Sequence, residues 1–145
     1  MADPKPVPIP SPEDREFWRR ARRHELALPQ CRACGHVWFP AYTRCPVCLS
    51  RDVDWVEASG HGEVFAFTVF HRPYVRSFAD DIPYHVVLVH LDEGPFIYGN
   101  LVEGDVAVGL QVEVVFDDVN EEIALPRFRP QIVVGDSASR PGLGP

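Results

Sequence analysis

Four cysteines in two pairs, Cys31-x2-Cys34 and Cys45-x2-Cys48 with ten residues between them, constrain this 145-residue chain more than any other feature. Two residues between paired cysteines let a tight turn aim both sulfurs at one ion. Two such turns facing each other supply the four-thiolate tetrahedron that Zn²⁺ prefers. Gly35 after Cys34 permits the left-handed backbone such a knuckle needs, and Pro46 fixes φ within the second pair. The second knuckle carries Leu49 where glycine is expected. Cys31, Cys34, Cys45 and Cys48 are therefore the expected ligands of a structural Zn²⁺. No open coordination position is left for water, none for His36, and no cysteine remains as a nucleophile.

Other uses of the cysteines fit less well. Two disulfides require an oxidising compartment, and Met1-Ala2-Asp3-Pro4-Lys5-Pro6-Val7-Pro8 has no apolar core of a signal peptide. A thioredoxin-type pair needs a βαβ unit, which is not readable here. Iron in a four-thiolate site stays compatible with sulfur ligation.

Apolar residues make up 46% and charged residues 24%, a globular composition. No apolar run is long enough to span a bilayer, so no membrane association and an intracellular, cytoplasmic protein are expected. The net charge of −7 is unevenly divided. Residues 1–48 hold 8 Lys/Arg against 5 Asp/Glu (+3), and residues 49–145 hold 6 against 16 (−10). That break suggests two modules.

Residues 1–10 read as a flexible, proline-rich leader. Ser11-Pro12-Glu13-Asp14 has the form of a helix start with Ser11 as N-cap. The helix is expected to run through Phe17, Trp18 and Ala21 towards Leu26, with an apolar stripe on Phe17, Trp18, Ala21 and Leu28. Its other face, Arg19, Arg20, Arg22 and Arg23, is either solvated or suited to an acidic partner or phosphate. The ribbon spans Gln30 to Trp55, with Val37-Trp38-Phe39 as a short strand and Trp38, Phe39, Tyr42 and Trp55 as its small core. From residue 59 the pattern turns to strands: Glu63–His71, Tyr84–Leu91, Phe96–Val102, Leu110–Phe116 and Glu122–Leu125, with Gln131–Val134 adding an edge. Five strands in so short a stretch predict a small closed barrel. The chain is thus expected to be mainly β: a helix with a four-cysteine ribbon over 11–58, a barrel domain over 59–134, and a disordered tail over 135–145.

The ordered set of a basic helix with Phe17-Trp18, Cys31-x2-Cys34-Gly35, Cys45-Pro46-x-Cys48, Gly60-x-Gly62-x-Val64, Leu91-x-Glu93-Gly94 and Leu125-Pro126-x-Phe128-Arg129-Pro130 resembles one family. It is that of acyl-CoA-associated OB-fold proteins with an N-terminal rubredoxin-like zinc ribbon, and the resemblance covers roughly residues 15–134. It implies a five-stranded OB barrel and a non-catalytic accessory subunit in a hetero-oligomer with a thiolase-like enzyme: a thiolase, aldolase or acyltransferase. It also implies support of that partner's assembly and of acyl-CoA binding.

Two other functions compete with this reading. Single-stranded nucleic-acid binding suits OB barrels and zinc ribbons, but the −10 half repels a polyanion. The Phe65 and Phe67 row, which could stack bases, is expected to be core. Independent catalysis finds no GxSxG, glycine-rich phosphate loop or HExxH. His61, His71, His85 and His90 are scattered along the barrel, with His85 and His90 on opposite faces, and no nucleophile–base set can be assembled.

For the accessory reading, four of the six cations in the acidic half fall in two clusters, Arg72 with Arg76 and Arg127 with Arg129. If both lie at one rim of the barrel they could hold the phosphates of an acyl-CoA. The alternative is that they pair with Asp80, Asp81, Glu121 and Glu122.

Overall fold

The computed structural model describes residues 4–131. The expected tail (135–145) and all but the first residue of the expected edge strand lie outside them. The order is α1 (Arg15–Ala21), β1 (Ala27–Cys31), β2 (Val53–Glu57), β3 (His61–Phe70), β4 (Tyr84–Leu91), β5 (Phe96–Asn100), β6 (Gln111–Asp118) and β7 (Ala124–Pro130). Strands β1 and β2 form an antiparallel ribbon whose register sets Cys31 opposite Val53. The other five make an antiparallel sheet in the order β5-β4-β3-β6-β7. A parallel bridge between Leu101 and Phe128 brings the sheet's two ends together, so the sheet closes as an OB-type barrel. No helix among the described residues is long and apolar enough to cross a membrane.

Helix α1 is shorter than its sequence pattern suggests, and its end has a specific cause. His24 takes φ +61°, Glu25 N–H bonds the Arg20 carbonyl and His24 N–H bonds the Ala21 carbonyl. That is a Schellman stop with histidine in the position glycine usually fills. Leu28 therefore lies in β1, not on the helical stripe. At the other end Asp14 is the N-cap, while Ser11 and Asp14 bond each other reciprocally one turn earlier.

The barrel's inward positions alternate as period-two packing requires: Val87, Val89 and Leu91 on β4, Ile97 on β5, Val112 on β6 and Phe128 on β7 are all buried. Phe17, Leu26, Leu28 and Ala58 join the same buried cluster, so the helix and the first ribbon strand share a core with the barrel. A second, small cluster of Cys31, Trp38 and Cys45 fills the ribbon.

Four local expectations are corrected. The Val37-Trp38-Phe39 segment makes a single bridge, Gln30 with Val37, rather than a strand. Tyr42 is 52% exposed; its neighbour Ala41 takes the buried place in that loop. The last strand runs later than Glu122–Leu125, because Asn120 Oδ1 accepts from the N–H groups of Glu122 and Ile123 and makes that stretch a turn. Phe65 and Phe67 are exposed rather than core. A bulge between Val64 and Ala66 inserts Phe65 as an extra residue on β3, and the ring of Phe65 packs edge-on against Phe96 instead.

Candidate metal centre and barrel rim

The two knuckles are built alike. Gly35 N–H donates to the Cys31 carbonyl at 2.8 Å, and Leu49 N–H donates to the Cys45 carbonyl at 2.9 Å. Gly35 has φ +81° and Leu49 φ +65°, so the second turn adopts the left-handed conformation despite its side chain. The four Sγ atoms all lie within 4.8 Å of one another, with Cys31–Cys48 at 3.5 Å and Cys34–Cys45 at 3.6 Å. A tetrahedral Zn²⁺ with sulfur at about 2.3 Å needs S···S edges of about 3.8 Å, so the set fits such an ion.

The backbone prepares the sulfurs for negative charge. Cys34 N–H points at Cys31 Sγ and Val47 N–H at Cys45 Sγ, each at 3.4 Å. Desolvation works to raise the Cys31 thiol, but the Cys34 N–H and the neighbouring Cys48 thiol outweigh it and bring it down to about 7. Cys45 is likewise lowered, with desolvation opposed by the N–H groups of Cys48 and Val47. Cys34 is pushed up to about 12: an N–H from His36 lowers it, but desolvation and the crowding of the other sulfurs prevail. Crowding of the four sulfurs thus opposes their joint ionisation, and a divalent cation offsets that opposition.

At the barrel, the cationic clusters separate. Arg127 bridges the closing strands: Nε donates to Asp117 Oδ2 at 2.9 Å and one terminal nitrogen donates to Asn100 Oδ1 at 2.7 Å. Asn100 in turn donates to the His85 carbonyl at 3.0 Å. Arg127, His85, Tyr84, Asn100 and Lys5 line a cavity of about 490 Å³ at this rim. Arg129 instead faces Glu113, its cross-strand neighbour on β6, at 3.5 Å. Arg72 and Arg76 lie in the loop between β3 and β4 and do not line the cavity. For Arg127 and Arg129 the expected pairing with Glu121 and Glu122 is replaced by cross-strand acids, since β6 carries Glu113 and Asp117 on the face where β7 carries Arg129 and Arg127. Among the described residues, Arg72 and Arg76 do not pair with Asp80 or Asp81. Asp81 pairs with Lys5.

Residue spacing did not single out His24 and Asp118. His24 Nε2 lies 2.9 Å from Asp118 Oδ1 and its ring stacks on Phe116 at 5.3 Å, which ties the end of α1 to the barrel. His90 stacks on Phe96 at 4.4 Å on the barrel's outer face, while His85 is at the rim cavity.

Residues 18–54 match the ChsH2 rubredoxin-like zinc ribbon domain and residues 55–117 match the ChsH2 C-terminal OB-fold domain. A Thermomonospora curvata protein named probable enoyl-CoA hydratase alpha subunit is 36% identical over 123 residues, covering 82% of this chain and 38% of that protein. The chain therefore spans little more than a third of that relative's length. A Methanocaldococcus jannaschii protein named DUF35 domain-containing scaffold protein is 34% identical over 110 residues, covering 72% of this chain and 77% of that one. Among solved structures, the chain is similar to one described as Ltp2-ChsH2(DUF35) aldolase, with a TM-score of 0.78, 33% identity, and coverage of 86% of this chain and 98% of that one. Paired four-sulfur knuckles, a closed five-stranded barrel and these matches lead to one conclusion: the chain belongs to the ChsH2-type DUF35 family of zinc-ribbon OB-fold proteins.

Proposed function

We propose that this chain is a non-catalytic scaffold subunit that associates with a thiolase-like acyl-CoA enzyme and supports its assembly and substrate binding. The observation that carries the reading is the closed four-sulfur cluster: every cysteine is drawn into one scaffold site, and none is left for acyl transfer. The likeness to a chain from an aldolase complex and to relatives named as scaffold proteins supports the same role. The ion is Zn²⁺, held by Cys31, Cys34, Cys45 and Cys48, with the ribbon as its structural product. Of the four arginines considered for acyl-CoA, Arg127 is the best placed, because it lines the rim cavity with a part-buried, pre-oriented guanidinium. Its charge is shared with Asp117, so a phosphate there competes with an existing ion pair, and a site completed by the partner is the arrangement we favour.

Affinity purification of the tagged chain from its native host tests this. Recovery of a thiolase-like subunit, together with one zinc per chain, supports the proposal. A chain recovered alone, or one that processes a thioester unaided, contradicts it.

A further inference from the structure

Strand β3 sits in the middle of the sheet order, yet only His61–Glu63 pair with β6. Val64 adds two bonds, donating to the Leu110 carbonyl and accepting from Gly109 N–H. Beyond that point β3 pairs with β4 alone through Ala66–Phe70, and no strand among the described residues covers its other edge.

Alternation decides which groups face that edge. Both backbone groups of Val64 point to β6, so Val64 and its partner Val89 are not bonded to each other. Along β4, Val87 and His85 share the phase of Val89 and turn their backbone groups towards β5, as the Asn100 side chain bonded to the His85 carbonyl shows. Phe67 and Val69, opposite Val87 and His85, therefore direct N–H and C=O outward from the sheet.

The chemistry of this edge asks for a cover. Phe65-Ala66-Phe67-Thr68-Val69-Phe70 has no charge and no proline, with Phe65 58% and Phe67 41% exposed. An apolar strand edge of this kind templates another strand and, left bare, promotes aggregation. Arg72 and Arg76 follow directly, and among the described residues neither has an ion-pair partner.

We propose that the open edge of β3 at Phe67–Val69 takes an extended segment of the enzyme subunit as an added strand, with acidic side chains of that segment meeting Arg72 and Arg76. This rests on the scaffold reading above. Charge selects the occupant. A second copy brings its whole −7 against this chain's −7 and is repelled, whereas a short acidic segment meets chiefly the two nearby guanidiniums. Antiparallel self-pairing about Thr68 would also set Arg72 opposite Val64, where β6 is already bonded. An enzyme segment ending in acids meets neither obstacle, and main-chain bonds at Phe67 and Val69 supply its affinity.

The test uses two variants. Val69→Pro removes the outward N–H without touching a bond to β4; Arg72→Glu with Arg76→Glu reverses the flanking charge. Each is titrated against the enzyme subunit that co-purifies with the wild-type chain, with zinc content and circular dichroism measured alongside. Both variants should weaken association by about tenfold or more, the scale of a lost interface contact, with metal content and spectrum unchanged. The Phe67 and Val69 amides should exchange slowly in the wild-type complex and fast in the free chain. Association within about twofold of wild type in both variants, or equal exchange in complex and free chain, overturns the proposal. Slow exchange in the free chain also overturns it: a concentration dependence would assign the edge to a second copy, and loss on truncation after Gln131 would assign it to the chain's own last residues. If the wild-type chain retains no enzyme subunit, the scaffold reading falls and this assignment with it. A complex indifferent to both variants removes this assignment alone.

Discussion

A Cβ on Gly99 would lie 2.8 Å from Cδ2 of Phe128, so the β5 backbone rests directly on the ring that fills the barrel where its ends meet. Phe128 is fully buried, and the close approach is possible only because Gly99 has no side chain. Gly99→Ala should cost about 1–3 kcal/mol by overpacking. Phe128→Ala should cost about 3–5 kcal/mol through the cavity it leaves. Urea unfolding of the purified chain measures both.

The metal site makes a separate prediction. Cys31→Ala or Cys48→Ala should unfold the ribbon and abolish enzyme association, because a structural zinc contributes on the order of 10 kcal/mol to folding a module of this size. Elemental analysis of the wild-type chain should find one zinc. The same mutation leaving a folded, enzyme-bound chain would show that the sulfurs do not build the scaffold.

Leu49 offers a test in the stabilising direction. Its φ of +65° strains an L-residue by about 1–2 kcal/mol, and its side chain is 64% exposed, so little burial is lost on removal. Leu49→Gly should raise stability by up to about 1 kcal/mol once glycine's greater unfolded freedom is subtracted. Thermal unfolding of the zinc-loaded chain reads this. A fall in midpoint would mean that Leu49 makes a contact worth more than its strain.

Arg127 and Arg129 should behave differently towards acyl-CoA. In calorimetry with the assembled complex, Arg127→Ala should weaken binding by about tenfold or more, as expected for a lost charge-assisted bond to phosphate. Arg129→Ala should leave it unchanged, because Arg129 faces Glu113 away from the rim cavity. Equal effects, or none, would remove Arg127 from the binding site.

The knuckles, the strand β4 and the five-strand composition were legible because their signals are local: paired cysteines, Gly35, and the run Val86-Val87-Leu88-Val89. Even Leu49 followed the rule, adopting the conformation its position demands. The failures came where one residue resets a pattern. Phe65, the extra residue at the bulge, puts Phe65 and Phe67 out of phase with each other: Phe67 pairs with Val87, and the two rings, read as one core row, are both exposed. His24 stops α1 in a left-handed conformation held by Asp118 and Phe116, partners 94 and 92 residues away that no local reading supplies. The arginines of β7 found their acids through strand register, which sequence proximity to Glu121 and Glu122 could not reveal.

The account depends most on the division between a zinc-built scaffold and chemistry done by another chain. Turnover of an acyl-CoA thioester should be measured for the purified zinc-loaded chain, for the proposed thiolase-like partner and for the two together. The account predicts no turnover above background from this chain alone, and higher turnover from the mixture than from the partner by itself. Turnover by this chain alone, or a partner indifferent to its presence, would contradict it.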